Sequence, residues 1–244
     1  MSIDAPRYGV LNGRLDAPAA RRMARVAELL GDQLRQQVVF IGASLLPLME
    51  TEDHVLSASR ATDDVDAVIA TATYSLKHDF ESALRAKGFR HDVGVATHVD
   101  RWRTPDDVIF DCVSCGQHVG GTGNALDRWV YDQAVETNLP PRTRHASAVG
   151  LLLLKVAAYT DRGASSPMAS KDLSDITTLF ATRPELVGEV SVSESDARAP
   201  IAAWCQAVAN SPRMISAIRS HIASRQPMFE GVDDLVLERM RRLV

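Results

Sequence analysis

The sequence has few cysteines, no long hydrophobic run and no surplus of positive charge. Its 3 cysteines cannot build a disulfide framework, which excludes a small fold stabilised by disulfides. The longest unbroken apolar stretch, Val149 to Leu154, is far shorter than the roughly 18 residues that a membrane span needs. The first residues, MSIDAPRYGV, hold no apolar segment of the kind found in secretory signals. We therefore expect a cytoplasmic protein without a membrane segment.

The charge balance argues against a protein that coats duplex nucleic acid. The chain carries 27 lysines and arginines against 31 aspartates and glutamates, a formal net charge of −4. Proteins that wrap long duplexes are usually basic, because neutralising phosphates supplies much of their affinity. A local contact with one RNA end or one nucleotide remains compatible with this balance. With 244 residues, 45% of them hydrophobic, the chain is long enough for one large or two modest folded domains.

The order of the predicted elements divides the chain into an α/β half, residues 1–140, and a helical half, residues 141–244. Pro140-Pro141 marks the boundary between them. In the first half, periodicity predicts helices at 17–34 and 75–87, strands at 38–41, 65–69, 93–102 and 108–113, and a loop or short helix up to about residue 60. In the second half it predicts helices at 147–159, 171–180, 196–210, 212–224 and 232–243. The fold class is therefore α+β.

Two aspartates stand at the start of the second predicted strand. Side chains alternate along a strand, so Asp64 and Asp66 point to one face and Val65 points to the other. Neighbouring carboxylates repel each other unless a cation lies between them, and Mg²⁺ held by carboxylates and substrate phosphates is the usual solution. An acidic loop before a strand is the simpler alternative for an isolated Asp-x-Asp motif.

Two further features favour the metal site. Gly42-Ala43-Ser44 directly follows the first strand, where a glycine turn lets backbone N–H groups approach phosphate and a serine adds a donor. Asp111 interrupts an apolar strand, and a carboxylate there is costly unless it is paired or bound to a metal. A strand with Gly-Ala-Ser, then Asp-x-Asp, then a lone aspartate on a later strand is the order found in the polymerase-β-like nucleotidyltransferase fold.

The segment from Val38 to Phe180 resembles the AbiE-type (AbiEii/MenT-like) nucleotidyltransferases, toxins of bacterial toxin–antitoxin and abortive-infection systems. The matching motifs occur in the family's order: Gly42-Ala43-Ser44, Arg60 to Asp66, Asp111, Leu151 to Lys155, and Lys171 to Asp175. The resemblance implies a nucleotidyltransferase-fold mixed sheet with flanking helices, followed by an all-helical C-terminal half. Ala43 departs from the family's pattern, because a second glycine, with more backbone freedom, is common at that position.

The resemblance also implies the parts of an active site. Asp64, Asp66 and Asp111 would hold Mg²⁺ or Mn²⁺, which aligns the attacking oxygen and the leaving pyrophosphate. Gly42, Ala43 and Ser44 would cradle the phosphates of a nucleoside triphosphate. Lys155 and Asp172 would complete the site from the helical half, with Lys155 binding phosphate or activating the acceptor.

The residue pattern alone leaves other roles open for the helical half. Lys155 follows a run of leucines, and its ammonium needs either an anion or a route to water. Because alanine suits a helix that faces leucines, Lys155→Ala should keep the fold. Asp172, or Ser170 before it, could instead cap a helix that begins at 171, and Asp175 lies one turn further along.

Other motifs are given little functional weight. Cys112, Cys115 and His118 have the spacing of half a zinc site, but only Cys205 remains as a further cysteine, so small buried residues are the better interpretation. Gly121-Thr122-Gly123 lacks the remaining residues of a dinucleotide or P-loop motif and is interpreted as a loop. Three basic clusters are interpreted as solvated faces, or as RNA contacts if an RNA end binds: Arg101 to Arg103, Arg142 to His145 and Arg239 to Arg242.

These observations lead to one preferred function and two alternatives. The preferred function is a nucleotidyltransferase that moves a nucleoside monophosphate from a nucleoside triphosphate to an acceptor. The resemblance implies a toxin-like role, with a tRNA 3′ end as acceptor and a cognate antitoxin protein as partner. The alternatives are a nucleotidyltransferase of small molecules such as antibiotics, and a catalytically idle protein of the same fold that binds a nucleotide or a partner.

Overall fold

The computed structural model describes residues 17–52, 55–56, 61–71, 73–92, 100–115, 125–137 and 141–244. Four features of the sequence lie outside these residues: Arg60, the Gly116 to Gly123 loop with His118, Pro140, and positions 93–99 of the predicted third strand. The described strands are β1 (Val38–Ile41), β2 (Asp64–Ile69), β3 (Arg90–His91), β4 (Arg101–Arg103), β5 (Ile109–Ser114), β6 (Val135–Glu136) and β7 (Arg144–His145). The described helices are α1 (Pro18–Arg35), α2 (Leu46–Met49), α3 (Tyr74–Ala86), α4 (Ala125–Asp132), α5 (Ala148–Ala158), α6 (Lys171–Thr182), α7 (Leu186–Val192), α8 (Ser195–Ala209), α9 (Pro212–Ser224) and α10 (Val232–Arg241).

The described residues form two compact units. The first unit holds those of Leu15–Leu45 and Ala61–Ser147, and the second holds those of Leu46–Arg60 and Ala148–Val244. The first is a sheet with helices, and the second is helical, so the predicted α+β class with a helical C-terminal half is confirmed. None of the described helices combines the length and the apolar character that a membrane span requires.

In the first unit the seven described strands make one mixed sheet in the order β3-β4-β5-β2-β1-β7-β6. β2 pairs with β5, and β1 with β7, in parallel, while the other neighbours are antiparallel. Apolar side chains of β1, β2, β4 and β5 are buried, with Phe40, Val65 and Phe110 fully so. Alternation therefore leaves the aspartates of β2 and β5 together on the opposite face.

Helix α1 packs against β1 and β2 through the apolar stripe that its periodicity predicts. The stripe includes Met23, Val26, Leu30 and Leu34, all buried. The helix is interrupted at Gly31, which has a φ of +63°. Thr73 begins α3 by accepting a hydrogen bond from the backbone N–H of Leu76, and Gly88 follows the helix with a φ of +85°. The predicted stop at Gly88 agrees with this conformation.

In the second unit α6 lies at the centre. Every residue from Asp172 to Thr182 is buried, and α2, α5, α9 and α10 pack around the helix. Its buried hydroxyls are satisfied locally, because Thr177, Thr178 and Thr182 donate to the carbonyl oxygens four residues before them. Ser170 caps the helix by accepting a hydrogen bond from the backbone N–H of Leu173, one of the two capping residues that the sequence suggested.

The segment after residue 45 belongs to the helical unit. The backbone N–H groups of Thr51 and Glu52 donate to the carbonyl oxygen of Thr182, at 3.0 and 2.9 Å. The guanidinium of Arg183 donates to the carbonyl oxygen of Met49 at 3.0 Å. By sequence order alone, this segment falls in the α/β half, residues 1–140. The spacing of apolar residues predicts neither α4 nor α7.

Candidate active site

Three carboxylates meet on one face of the sheet. β2 and β5 run parallel with Asp66 directly opposite Asp111, and Asp64 lies two residues before Asp66 on the same face. One oxygen from each carboxylate can be chosen so that all three lie within 4.8 Å of one another. All three side chains are partly exposed, whereas Val65 between the first two is fully buried, as the alternation predicts. We call Asp64, Asp66 and Asp111 the acidic triad.

Gly42 makes room for the triad at the end of β1. Ile41, the last residue of that strand, is paired with Asp66. Gly42 has a φ of +80°, and a Cβ built on it would lie 2.0 Å from Oδ2 of Asp66. Both the backbone conformation and the close approach therefore require glycine here. The local role that this geometry gives to Gly42 is to let the Asp66 carboxylate pack against the backbone.

Ala43 and Ser44 continue from Gly42 into a single 3₁₀ turn, Ala43–Leu45. Any residue can adopt the backbone angles of a 3₁₀ turn, so alanine in place of the family's second glycine causes no backbone strain here. Ser44 is fully buried, and its hydroxyl has no hydrogen-bond partner among the residues that the structure describes. A buried hydroxyl without a partner is uncommon in folded proteins, and this one lies two residues from the glycine that touches Asp66.

Thr62, two residues before the first residue of β2, positions the carboxylate of Asp64. The hydroxyl of the buried residue Thr62 donates to Oδ1 of Asp64. The carbonyl oxygen of Thr62 in turn accepts a hydrogen bond from the guanidinium of Arg22 on α1. Threonine in the Arg60 to Asp66 motif therefore orients a triad carboxylate, which fixes part of the geometry that a metal ion would need.

Arg101 also lies on this face, although the sequence pattern predicts a solvated surface for the basic cluster Arg101 to Arg103. It stands directly opposite Asp111 in the antiparallel pairing of β4 with β5. Its Nε donates to Oδ1 of Asp111 at 2.8 Å, and its Nη2 donates to Oδ2 at 2.7 Å. Both side chains are 18% exposed, so the solvated-face interpretation is wrong for Arg101. Period-two alternation around Trp102, which is buried, was the signal that could have placed Arg101 on the opposite face of its own strand, although the contact with Asp111 follows only from the strand pairing.

The donor set of the triad suits a hard divalent cation. Carboxylate oxygens are the ligands that Mg²⁺ and Mn²⁺ prefer, and Mg²⁺ is commonly held by one or two carboxylates together with phosphates and water. Asp64, Asp66 and Asp111 could supply such oxygens from one face of the sheet. The geometry thus fits the metal that the sequence predicts for these three residues.

In the helical unit, Lys155 lies in a second charged cluster. Its Nζ is 2.7 Å from Oδ2 of Asp175 and 3.2 Å from Oδ1 of Asp172. The side chain of Asp175 is fully buried and that of Asp172 is 6% exposed. Arg162 adds two hydrogen bonds to Asp172, at 2.9 and 3.2 Å. The anion that Lys155 needs is therefore supplied within this unit, and a role of Lys155 and Asp172 in nucleotide transfer stays a prediction.

The cysteines of the predicted half zinc site lie in the interior of the sheet unit. Cys112 and Cys115 are buried, and Cys112 lies on the face opposite Asp111, as alternation predicts. Burial raises the pKa of the Cys112 thiol well above its usual range.

In the basic cluster at the end of the chain, Arg239 is buried and not on a solvated face. Its guanidinium donates hydrogen bonds to the carbonyl oxygens of Phe180 and Ala181, in the last turn of α6. Of the other basic residues in these clusters, Arg142, Arg241 and Arg242 are exposed.

Comparison with known proteins gives a likeness in structure alone. No model of a protein family matches the sequence. No curated protein matches it either. Among solved structures the chain is similar to JHP933 from Helicobacter pylori, with 14% sequence identity and a TM-score of 0.45, over 91% of this chain and 88% of that one. So distant a likeness transfers no function, and membership of the AbiE-type family stays a prediction.

Proposed function

We propose that this protein is a metal-dependent nucleotidyltransferase. The observation that carries the proposal is the acidic triad, in which Asp66 and Asp111 face each other across parallel strands and Asp64 lies on the same face. Gly42 supports it, because only a glycine lets the backbone at the end of β1 lie against the Asp66 carboxylate. The buried hydroxyl of Ser44, two residues further on, is a donor without a described partner.

The proposed reaction joins an acceptor hydroxyl to the α-phosphorus of a nucleoside triphosphate. A new P–O bond forms at the α-phosphorus, the bond between the α- and β-phosphates breaks, and pyrophosphate leaves. When bound, Mg²⁺ or Mn²⁺ supplies charge stabilisation for the attacking and leaving oxygens. In this proposal Asp64, Asp66 and Asp111 fix the metal, and a triad carboxylate takes the proton of the acceptor hydroxyl. Gly42, Ala43 and Ser44 hold the phosphates.

The acceptor and partners are the finer part of the proposal and rest on the resemblance alone. A tRNA 3′ end as acceptor and an antitoxin protein as partner are typical of the toxins that the motifs resemble. A small-molecule acceptor is the enzymatic alternative. One experiment separates the two, because the label transferred from the nucleotide stays either with RNA or with a small molecule.

Incubation with each α-³²P-labelled nucleoside triphosphate, Mg²⁺ and total RNA tests the proposal. We expect label in RNA from at least one nucleotide. Asp66→Asn should lower transfer by about a thousandfold, because loss of a metal ligand removes several kcal/mol of transition-state stabilisation. Asp63→Asn is the matched control, because the Asp63 side chain is 92% exposed just before β2 and lies outside the triad. It should retain parental transfer.

Thermal unfolding in EDTA excludes a folding defect as the cause. Removing one of three neighbouring carboxylate charges relieves repulsion, so Asp66→Asn should unfold no earlier than the parent. Label in a small-molecule fraction would favour the alternative acceptor. Equal transfer by the parent and Asp66→Asn would contradict the proposed site, and no transfer from any nucleotide would favour the idle protein.

One observation favours that idle protein as a second candidate. Arg101 already places a positive charge on Asp111 through two hydrogen bonds. An internal cation can satisfy a carboxylate within a sheet without any metal. The transfer experiment decides between the two candidates.

A further inference from the structure

Arg101, Asp111 and Asp66 form one row across the sheet, and Asp64 lies on the same face two residues before Asp66. Ile41 is opposite Asp66, Asp66 is opposite Asp111, and Asp111 is opposite Arg101. Paired residues of neighbouring strands present their side chains on the same face. The guanidinium of Arg101 therefore shares a face with all three carboxylates and directly contacts one of them.

The contact occupies both oxygens of Asp111. Nε and Nη2 of Arg101 donate in parallel at 2.8 and 2.7 Å, which is the fork geometry of a strong, charge-assisted pair. A guanidinium keeps its positive charge over the whole pH range in which proteins are folded, so Arg101 brings a permanent charge to this face.

A fixed positive charge on one triad carboxylate has two consequences for a metal ion. It repels the incoming cation, and it takes two of the roughly four lone-pair positions that the Asp111 oxygens offer. A triphosphate that arrives with the metal changes this balance, because its oxygens are also fork acceptors for a guanidinium.

We propose that Arg101 is a gate residue for metal and nucleotide at the triad. With no nucleotide present it holds Asp111 and opposes metal binding. When a metal–triphosphate complex arrives, the guanidinium turns from Asp111 to the phosphates and releases the carboxylate to the metal. This inference rests on the proposed nucleotidyltransferase function, and it predicts that metal and nucleotide bind together while metal alone binds weakly.

A purely structural role makes the opposite prediction for the metal. If Arg101 only orients Asp111 as a ligand, its removal weakens metal binding with and without a triphosphate. The gate instead requires changes of opposite sign in the two measurements. Arg101→Met separates the roles, because methionine keeps an apolar stem on β4 and loses the charge.

Arg103 provides a matched control on the same strand and face. Its partners are Asp92, at 3.0 Å, and Asp107, at 3.1 Å, and neither belongs to the triad. Arg103→Met therefore removes an equal charge two residues away without freeing a triad carboxylate. Both affinities should stay at the parental value in this variant.

The test measures two affinities on the full chain. Binding of Mn²⁺ alone is followed by the loss of the electron paramagnetic resonance signal of the free ion, and binding of preformed Mn²⁺–tripolyphosphate by titration calorimetry. Tripolyphosphate carries the phosphate chemistry common to all nucleoside triphosphates. We expect Arg101→Met to bind Mn²⁺ about tenfold more tightly than the parent and the complex about tenfold less tightly, since one charged hydrogen-bond pair is at stake in each case.

The outcomes distinguish this inference from the proposed function. Loss of Mn²⁺ binding in Asp66→Asn together with opposite changes in Arg101→Met supports both. Loss in Asp66→Asn with an unchanged or weaker Mn²⁺ affinity in Arg101→Met overturns the gate and leaves the metal site standing. Equal binding of the Mn²⁺–tripolyphosphate complex by the parent and Asp66→Asn overturns both. No binding of Mn²⁺ to Arg101→Met, together with no binding of the complex to the parent, also overturns both.

Discussion

At the scale of single residues, the site depends on Gly42, a glycine that has no room for a side chain. Gly42 combines a left-handed φ of +80° with a Cβ position that falls 2.0 Å from the Asp66 carboxylate. The sequence predicts a glycine turn that approaches phosphate. In the structure the same turn also touches a triad carboxylate, so one residue links the phosphate-binding and metal-binding parts of the proposed site.

Gly42→Ala should therefore both destabilise the protein and disturb the triad. The left-handed conformation alone costs an alanine about 1 kcal/mol, and the contact with Asp66 forces the carboxylate to move as well. We expect a lower midpoint in chemical unfolding. We also expect a Mn²⁺ affinity reduced by about tenfold, because a displaced Asp66 carboxylate can no longer coordinate the ion with good geometry.

Gly231→Ala is the control for this prediction. Gly231 has a similar φ of +84°, but nothing lies within 4 Å of its Cβ position. It should lose about 1 kcal/mol of stability from backbone strain and keep parental Mn²⁺ affinity. An unchanged Mn²⁺ affinity in Gly42→Ala would show that Asp66 does not depend on this contact.

At the scale of secondary structure elements, a buried charge cluster joins α5 to α6. Lys155 on α5 pairs with Asp172 and Asp175 on α6, and all three side chains are at most 12% exposed. Helix propensity alone favours Lys155→Ala as a change that keeps the fold. These ion pairs predict the opposite, a large loss of stability, because removing the lysine leaves two buried carboxylates without its charge.

Lys155→Met should lower the free energy of unfolding by about 3–5 kcal/mol, the usual cost of breaking a buried ion pair from one side. Methionine keeps the apolar stem, so the loss reports on charge. Urea unfolding measures it, and adding Asp175→Asn to the variant should recover part of the stability. Lys171→Met, at an exposed position of the same helix pair, should change stability by no more than about 0.5 kcal/mol.

Parental stability in Lys155→Met would contradict this view of the cluster. In that outcome the ammonium would be available for a ligand, and the catalytic role implied by the resemblance would gain support. Low stability with full nucleotide transfer would instead make Lys155 a purely structural residue of the helical unit.

At the scale of the whole molecule, the chain contributes to the two units out of sequence order. Residues from Leu46 onward leave the sheet unit and pack on α6, and the chain then returns to form β2. Leu48 and Met49 are buried, and Arg239 on α10 lies 3.1 Å from Glu52. The helical unit is therefore completed by a segment that precedes it by about a hundred residues in sequence, a span that loop-closure entropy tolerates.

A fragment of residues 148–244 should be less stable than the same fragment with residues 46–56 joined to it by a flexible linker. The joined segment covers α6 with Leu48 and Met49 and donates the backbone hydrogen bonds from Thr51 and Glu52. We expect the midpoint of thermal unfolding to rise by about 5 °C or more, which corresponds to roughly 1 kcal/mol in a domain of this size. Circular dichroism at 222 nm measures both fragments.

Leu48→Ser in the joined fragment is the matched control, because Leu48 is 2% exposed and a hydroxyl there removes the apolar contact. It should return the midpoint to that of the shorter fragment. Equal midpoints for the two fragments without this substitution would show that the segment adds no stability to the helical unit.

The amino-acid sequence by itself determined the elements whose signal is local. Periodicity predicts α1, β1, β2, α3 and the helices α5, α6, α8, α9 and α10 to within a few residues, because burial of one face is written into the spacing of apolar residues. Alternation likewise places Asp64 and Asp66 on one face and turns Cys112 away from Asp111. Short strands such as β6 and β7, and the helices α4 and α7, carry too few periodic residues to be predicted in this way.

Tertiary structure decided which of these residues meet. Strand pairing, which the sequence does not encode locally, brings Asp66, Asp111 and Arg101 into one row from three separate strands. The same is true of Lys155 with Asp175, and of the segment after Leu46 with α6. Periodicity reports which face of an element is buried, but the partner on the other side is fixed by packing between distant parts of the chain. Whether a charged residue such as Arg101 lies in water or against a carboxylate is therefore known only once the strands are paired.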